Sequence, residues 1–309
     1  MKKSIHLLVL LAIVFLITDR LVCLSLIQFD KKVFSGQSVG KVNHFLLLKD
    51  TVDLLVFGSS RANHHIDNKR ITSSSFNIGV DGSRIGHSAT LISSLNKKNQ
   101  VVLVHIDHKF IYDLEYTGED MLSLKNLIKR NDTIKTFINN YFPEEVYIAN
   151  AVNSYVYNGK VLGILKNYLK PKYNYMLYDG FDPLIPSQEQ KDIFEKMIKL
   201  ENRNNKSEDY ELSDLEINPL IDDLVEEIKQ ICQKNNSKLI FFTSPSLILE
   251  HETLRLRTKN YFKSKHLLYY DYSDFFKNYN SEYWRDFTHM SEKGAIVFTE
   301  AIENELLMQ

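Results

Sequence analysis

The sequence has few cysteines and almost no net charge. Only two cysteines occur in 309 residues, Cys23 in an apolar N-terminal stretch and Cys232 much later, so no disulfide framework is indicated. Lys and Arg number 38 against 39 Asp and Glu, which gives a formal charge of -1. Because phosphate binding requires a basic surface, nucleic acid is not an expected partner. The apolar fraction of 44% and the charged fraction of 25% are typical of a globular protein with a sizeable core.

The N-terminal stretch also lacks a recognisable signal-peptidase cleavage site. Lys2 and Lys3 precede the apolar residues 5–17. No small residues stand where a signal peptidase would cleave, and a valine precedes Cys23, where a lipoprotein signal requires a small residue. An uncleaved membrane anchor over residues 1–29 is therefore expected, and the alternative is a buried N-terminal helix of a soluble protein.

The topology of this anchor follows from its length and its flank. Residues 4–27 can just span a bilayer, with Asp19 and Arg20 near the outer end. The positive flank predicts a cytoplasmic N-terminus and a single pass. The domain formed by residues 30–309 is then extracellular or periplasmic.

Short apolar runs followed by glycine or polar residues recur along the rest of the chain. Five of them are predicted to be strands, at 52–57, 75–78, 101–106, 238–242 and 266–270. Residues 83–96 between two of the runs are predicted to form a helix. This alternation predicts an α/β fold with a parallel sheet and helices on both faces. Catalytic residues of such sheets gather at the carboxyl ends of the strands.

The stretch between the third and fourth predicted strands has a different character. Residues 110–235 are interpreted as an insertion that caps the sheet and does not fold separately. Within it, 122–142 and 219–234 are predicted to be helical, 165–187 to be loop-like, and 201–214 to be solvated or mobile.

Two short segments carry residues that suit nucleophilic catalysis. Gly58-Ser59-Ser60 follows the strongest predicted strand, where a serine hydroxyl and its backbone N–H project above the sheet. The alternative is an ordinary turn or helix cap. Asp286 and His289, three residues apart near the C-terminus, can fold back so that the carboxylate holds Nδ1 and leaves Nε2 free to accept a proton. The alternative there is a helix start with a surface histidine.

A third segment, Asn77 to Ser83, contains Gly79 and Gly82 after the second predicted strand. A glycine at this position lets the backbone approach a substrate and offers an N–H to a developing oxyanion. A plain turn between strand and helix would need glycine for the same conformational reasons.

Taken together, these segments resemble the blocks of the SGNH (GDSL-like) hydrolase superfamily. Its Gly-Asp-Ser block is matched by Gly58-Ser59-Ser60, which puts the nucleophile at Ser60. Its Asn-x-Gly-x-x-Gly block is matched at Asn77, and the oxyanion-hole role carries to Gly82. Its Asp-x-x-His block is matched by Asp286 and His289. The resemblance covers about 50–108 and 238–305 and implies a flavodoxin-like, three-layer α/β/α sandwich with Ser60 and Gly82 as oxyanion donors.

The Gly-Ser-Ser variant narrows the resemblance to membrane-anchored relatives that take part in cell-envelope polysaccharide acylation, among them D-alanyl transfer proteins. It implies a serine-dependent O-acyl esterase or acyltransferase that needs no cofactor. The expected substrate is an acyl ester, with acetyl favoured, of an envelope polysaccharide or its carrier. A membrane-bound O-acyltransferase is the implied protein partner. The alternatives are a non-catalytic scaffold of the same fold, and a secreted lipase or thioesterase.

One block departs from that pattern. The family's third block supplies an asparagine side chain to the oxyanion hole, whereas the third predicted strand of this chain leads to Asp107. An ionised carboxylate can only accept hydrogen bonds, so Asp107 is a poor oxyanion donor. Asp107 and Asn77 are retained as candidate substrate contacts.

Other polar residues have two interpretations each. Arg61 either steers an anionic group of the substrate or pairs with a carboxylate. His64 and His65, with His105 and His108, lack the spacing that metals select, so no metal site is expected and they are predicted to line the mouth of the pocket. Tyrosines in 141–178 either stack on sugar rings or belong to the core, and the second interpretation is favoured.

Overall fold

A five-stranded parallel sheet organises the chain. The computed structural model describes residues 2–171, 173, 175–201, 215–248, 250–276 and 280–307. The strands are β1 (Leu54–Phe57), β2 (Ser75–Asn77), β3 (Val101–His105), β4 (Lys238–Thr243) and β5 (Leu268–Asp271). They lie in the order β2-β1-β3-β4-β5, and every neighbouring pair is parallel. The predicted α/β class with a parallel sheet is confirmed.

Helices connect and cover these strands. The α-helices are α1 (Lys2–Asp30), α2 (Val42–Leu48), α3 (Ser60–His65), α4 (Ile85–Ile92), α5 (His108–Ile111), α6 (Asp132–Tyr141), α7 (Pro143–Ala151), α8 (Val161–Leu169), α9 (Gln188–Glu201), α10 (Pro219–Lys234), α11 (Glu252–Ser264) and α12 (Glu292–Leu307). Short 3₁₀ segments include Asn68–Arg70, Glu119–Lys129, Asn153–Tyr157, Tyr175–Tyr178 and Ser281–Tyr283, and Gly36–Lys41 forms a π-helical turn.

Side chains of the strands alternate between two core clusters, as the two-residue period of a strand requires. On β1, Leu55 and Phe57 join one cluster while Leu54 and Val56 join the other. The first cluster includes buried residues of α2, α4, α10 and α11 and of the segments between β3 and β4. The second includes buried residues of α3 and α12. Both faces of the sheet are therefore covered, which explains why the strands are uninterrupted apolar runs.

Several element boundaries differ from the sequence prediction for identifiable reasons. The helix expected over 83–96 is the shorter α4, because the Ser83 hydroxyl bonds Gly58 O and Val80 O and keeps Ser83 in the preceding turn. The helix expected over 122–142 is divided, because Asn131 caps α6 by accepting the N–H of Ile134 at 3.0 Å. The last strand begins later than expected because His266 has a φ of 56°.

Other predicted segments had mixed outcomes. The helix at 219–234 is present as α10. Part of the stretch expected to be loop-like over 165–187 is helical, since α8 extends to Leu169. The predicted solvated segment 201–214 lies, beyond Glu201, outside the described residues.

The N-terminal helix α1 is apolar and long enough to cross a membrane. It is exposed along its first half, up to residue 18. Asp19 is buried and accepts hydrogen bonds from Asn153 N (2.6 Å) and Ser154 N (2.9 Å). At the end of the helix, Asp30 is fully buried and its carboxylate lies 2.8 Å from Arg130 Nη1. The second half of α1 is thus joined to the folded domain by polar contacts.

Candidate active site

Ser60 stands at the first position of α3, immediately beyond β1. Gly58 between them has a φ of 139°, and a Cβ there would lie 2.7 Å from the Cβ of His105. Only glycine therefore lets β1 end so close to β3. Among the described residues, no acceptor pairs with the Ser60 N–H, because it belongs to the first turn of a helix.

Asp286 and His289 lie in a tight turn before α12. The turn is closed by hydrogen bonds from Arg285 N and Asp286 N to His289 O, at 2.9 and 3.3 Å, and by an antiparallel bridge between Trp284 and Met290. Asp286 Oδ1 accepts the backbone N–H of His289 at 2.9 Å. The side chains of Asp286 and His289 are therefore held in one orientation by the backbone that carries them.

The structure brings these residues together with the serine. Ser60 Oγ lies 2.8 Å from His289 Nε2, although the two residues are 229 positions apart. His289 Nδ1 lies 3.0 Å from Asp286 Oδ1 and 3.1 Å from Oδ2. A carboxylate at Nδ1 fixes the tautomer in which Nε2 accepts the serine proton. The arrangement can thus deprotonate Ser60 as it attacks an electrophile.

Asp286 remains ionised across the neutral pH range. Burial raises the pKa of its carboxyl, but hydrogen bonds from the His289 ring and from the backbone of Thr288 and His289 outweigh burial. The pKa of Asp286 is consequently well below its ordinary value. An ionised Asp286 can stabilise the imidazolium that forms on His289.

Gly82 is the second predicted oxyanion donor, and it faces open space in the cleft. It has a φ of 73°, and a Cβ added there would meet nothing within 4 Å. Its N–H has no acceptor in the described part of the chain. Asp81, directly before it, is held by His64 Nε2 at 3.0 Å and by Asn63 Nδ2 at 2.8 Å. Side chains of α3 therefore hold the turn that carries the Gly82 N–H.

Asn77 does not contact the cleft, which corrects its prediction as a substrate contact. Its side chain is fully buried and donates to Ala62 O (2.8 Å) and Ile66 O (2.9 Å). Its Oδ1 accepts the N–H of Gly79 at 2.9 Å. Because all three bonds go to backbone groups, Asn77 braces the turn after β2 against α3.

Arg61 and Asp107 form an ion pair in the wall of the cleft. Arg61 Nη1 contacts Asp107 Oδ1, and Arg61 Nη2 contacts the carbonyl oxygens of Ser244 and Pro245. The side chains are 12% and 11% exposed. Burial raises the pKa of Asp107, but the Arg61 charge and nearby cationic groups outweigh burial and lower it. Of the two interpretations of Arg61, pairing with a carboxylate is the one observed, and the role of either residue in substrate binding stays a prediction.

The four histidines that were predicted to line the mouth of the pocket lie in different places. His108 lines the cleft, whereas His64 and His65 are buried on α3 and do not line it, which corrects their predicted position. His105 lines a smaller cavity next to the cleft. Within the described ranges, no three His, Cys, Asp or Glu side chains are grouped as metal ligands would be.

His65 has a bridging role that the sequence interpretation did not predict. Its Nε2 accepts the N–H of Met290 at 3.0 Å, so its proton must be on Nδ1, which lies 2.9 Å from Ser244 Oγ. Burial lowers the pKa of His65 well below its ordinary value, and the nearby charge of Arg61 lowers it further. His65 thus stays neutral and ties the helix of Ser60 to the turn of His289. In the sequence, only its position five residues after Ser60 could have indicated this role.

Ser60, Gly82 and His289 open onto a cleft of about 330 Å³. A cleft of this volume can hold a small organic group. Apolar and charged side chains share the wall, among them Phe110, Ile248, Arg84, Lys109 and Glu250. Compared with known proteins, the sequence matches no family model and no curated protein.

Proposed function

We propose that this chain is a membrane-anchored serine esterase or O-acyltransferase of the SGNH type. The observation that carries the proposal is the continuous contact from Ser60 Oγ through the His289 ring to the Asp286 carboxylate, at 2.8 and 3.0 Å. Such a chain of nucleophile, base and orienting carboxylate is the geometry that acyl transfer through a serine requires. Helices on both faces of a five-stranded parallel sheet support the finer assignment to a three-layer, flavodoxin-like sandwich.

In this mechanism, His289 Nε2 takes the proton of Ser60 Oγ as that oxygen attacks the carbonyl carbon of the ester. The N–H groups of Ser60 and Gly82 stabilise the resulting oxyanion. When the intermediate collapses, His289 gives the proton to the departing alcohol and an acyl-serine remains. Water or a sugar hydroxyl then attacks the acyl-serine with His289 again acting as base, which restores Ser60.

The substrate class rests on the resemblance of the Gly-Ser-Ser block to envelope acylation proteins, which favours an acetyl ester of a polysaccharide or its carrier. A cleft of about 330 Å³ supports a small acyl group. The apolar helix α1 supports a single-pass anchor. The positive flank of Lys2 and Lys3 favours the domain on the outer side. A membrane-bound O-acyltransferase remains the proposed partner.

A non-catalytic scaffold is the second candidate, and Asp107 favours it. Because Asp107 is ionised and paired with Arg61, it offers no donor where the family has an asparagine. Loss of one oxyanion donor costs on the order of a hundredfold or more in rate. With only the two backbone N–H groups as oxyanion donors, an esterase is expected to react slowly. A scaffold has no need of an oxyanion hole, so the missing donor would not affect it.

Labelling of the full-length protein with a serine-reactive fluorophosphonate separates these candidates. The esterase proposal predicts that the label maps by mass spectrometry to Ser60 and that Ser60→Ala abolishes labelling. Ser123→Ala, an exposed serine outside the cleft, is the matched control and should label as the parent does. Equal labelling of Ser60→Ala and the parent would refute a nucleophilic Ser60. Absence of labelling in a folded parent would favour the scaffold.

A further inference from the structure

Helices α7 and α8 expose large apolar side chains beside α1. Leu162 is 83% exposed and Tyr147 is 77% exposed. We refer to these two residues together with Ile148, Leu165 and Leu169 as the α7–α8 face. Leu162, Leu165 and Leu169 are spaced three and four residues apart on α8 and therefore lie on one side of that helix. An exposed apolar surface of this kind is typical of a site that contacts lipid or another protein.

The α7–α8 face belongs to the part of the domain that packs on the second half of α1. The 3₁₀ segment Asn153–Tyr157 joins α7 to α8, and its first residues bond the Asp19 carboxylate. Tyr168 of α8 contacts Phe29 edge to face, with ring centroids 5.6 Å apart. The domain therefore lies along α1 from residue 19 to residue 29.

The length of α1 places this region at membrane level. A hydrocarbon core of about 30 Å takes roughly 20 helical residues at about 1.5 Å each. Counted from Ile5, the first apolar residue after Lys2 and Lys3, the core ends near residue 24. Asp19 then lies about 7 Å inside the outer boundary of the core. The segment that bonds Asp19 must reach the same depth.

The contacts of Asp19 fit such a depth. A carboxylate is costly in an apolar medium unless its hydrogen bonds are satisfied. Asp19 receives the N–H groups of Asn153 and Ser154 and also the Ser154 hydroxyl at 2.6 Å. The domain thus supplies the polar partners that a bilayer lacks.

Exposed cationic side chains occur on α1, in the turn after it and at the end of α8. The exposed ones are Arg20, Lys31, Lys32, Lys166 and Lys170, and none of these forms an ion pair within the described residues. An exposed carboxylate, Glu144, is at the first turn of α7. Cations and tyrosines next to apolar side chains are characteristic of surfaces that meet lipid headgroups.

We propose that the α7–α8 face lies in the outer leaflet of the bilayer, so that the domain is seated on the membrane and not merely tethered to it. The inference rests on the proposed membrane crossing of α1. A lipid surface is the occupant because α8 packs against α1, the proposed membrane helix, and carries exposed Lys166, with Lys170 directly after it. Seating fixes the height and tilt of the domain, and therefore the distance of the Ser60 cleft from the bilayer.

Lipid quenching of single fluorophores tests this seating. The full chain, with Cys23 and Cys232 replaced by alanine, receives one cysteine labelled with an environment-sensitive nitrobenzoxadiazole. The labelled positions are Leu162→Cys and Tyr147→Cys on the face, Leu10→Cys in α1, and Leu256→Cys on α11. Leu256 is the matched control because it is an exposed leucine, 56% accessible, on a helix that does not flank α1. Vesicles contain phosphatidylcholine and phosphatidylglycerol with or without a shallow doxyl-labelled lipid.

We expect blue-shifted emission and loss of fluorescence to doxyl lipid at positions 162 and 147, and neither effect at position 256. Quenching at position 10 but not at 162 and 147 would overturn the seating while α1 still crosses the membrane. No quenching at position 10 would overturn the membrane anchor together with the seating. Blue-shifted emission at 162 and 147 without doxyl quenching would show a protein contact, such as a second copy of the chain, and would also overturn the proposal.

Discussion

The substitution His65→Leu tests whether α3 positions the general base. Met290 is fully buried, and its N–H has His65 Nε2 as its acceptor at 3.0 Å. Leucine has a similar size but accepts no hydrogen bond, so this N–H is left unsatisfied. We expect a loss of about 1–3 kcal/mol in the free energy of unfolding from that group alone. His65→Gln is the matched variant, because its Oε1 can replace the Nε2 acceptor and should recover part of the loss.

The same substitution is expected to slow the reaction of Ser60 with fluorophosphonate. His289 directly precedes Met290, so a looser Met290 lets the imidazole move away from Ser60 Oγ. A displacement of about 1 Å at a reacting group can cost on the order of a hundredfold in rate. The labelling rate of folded His65→Leu, measured under conditions where its unfolded fraction is negligible, should fall by about tenfold to a hundredfold.

A double-substitution cycle distinguishes positioning from general damage. In a His289→Ala background the base is absent, so His65→Leu should reduce the labelling rate no further while it still lowers the stability. If His65→Leu lowers the rate by the same factor in both backgrounds, the effect does not pass through His289. A labelling rate equal to that of the parent would refute the positioning role outright.

Three further predictions concern the same site. Asp286→Asn should leave the fold intact and lower the fluorophosphonate labelling rate by on the order of a hundredfold or more, because an amide at Nδ1 no longer enforces the reactive tautomer; unchanged labelling would exclude Asp286 from the triad. Asn77→Ala should lower the free energy of unfolding in urea by about 2–4 kcal/mol through the loss of three buried hydrogen bonds; an unchanged free energy of unfolding would contradict its bracing role. His64 donates Nδ1–H to Asp182 O at 2.5 Å and has Asp81 at Nε2; burial lowers its pKa, but these partners outweigh burial and raise it above 6.5. The stabilisation of the fold by charged His64 is therefore complete below pH 6.5 and is lost as the pH rises through the folded-state pKa. In thermal unfolding, His64→Gln should lower the stability more at low pH than at high pH. A loss of stability that does not depend on pH would contradict the ion pair.

The strands could be predicted from the sequence because they leave local patterns, and the three residues of the proposed triad because their segments resemble the SGNH blocks. A strand covered on both faces is a short apolar run, and the runs that include Leu54–Phe57 and Lys238–Thr243 show this directly. Ser60 and the pair Asp286 and His289 stand at strand and helix boundaries, where polar side chains with defined spacing have few structural reasons to occur together. The proximity of Ser60 to His289 was predicted from these patterns, and the separation of 2.8 Å agrees with it.

The partners of the supporting residues could not be predicted, because they are distant in sequence. Arg61 and Asp107 meet across 46 positions, and His65 and Met290 across 225. No local periodicity encodes such a pair, since each partner alone resembles an ordinary polar residue. Asn77 was misassigned for a related reason: a buried amide that bonds the backbone has the same sequence signature as one that faces a ligand.

The wide separation of Ser60 and His289 has a consequence for the biogenesis of the protein. Chains emerge from the ribosome N-terminus first, so α1, β1 and Ser60 are made long before the turn that carries the base. Until α12 packs beside α3, the Ser60 hydroxyl lacks the contact with His289, so the proposed acyl-transfer site is incomplete in the growing chain. Any chain that ends before position 289 keeps Ser60 and α1 but lacks the proposed base. The proposed site is therefore completed among the last steps of folding, long after α1 has been made.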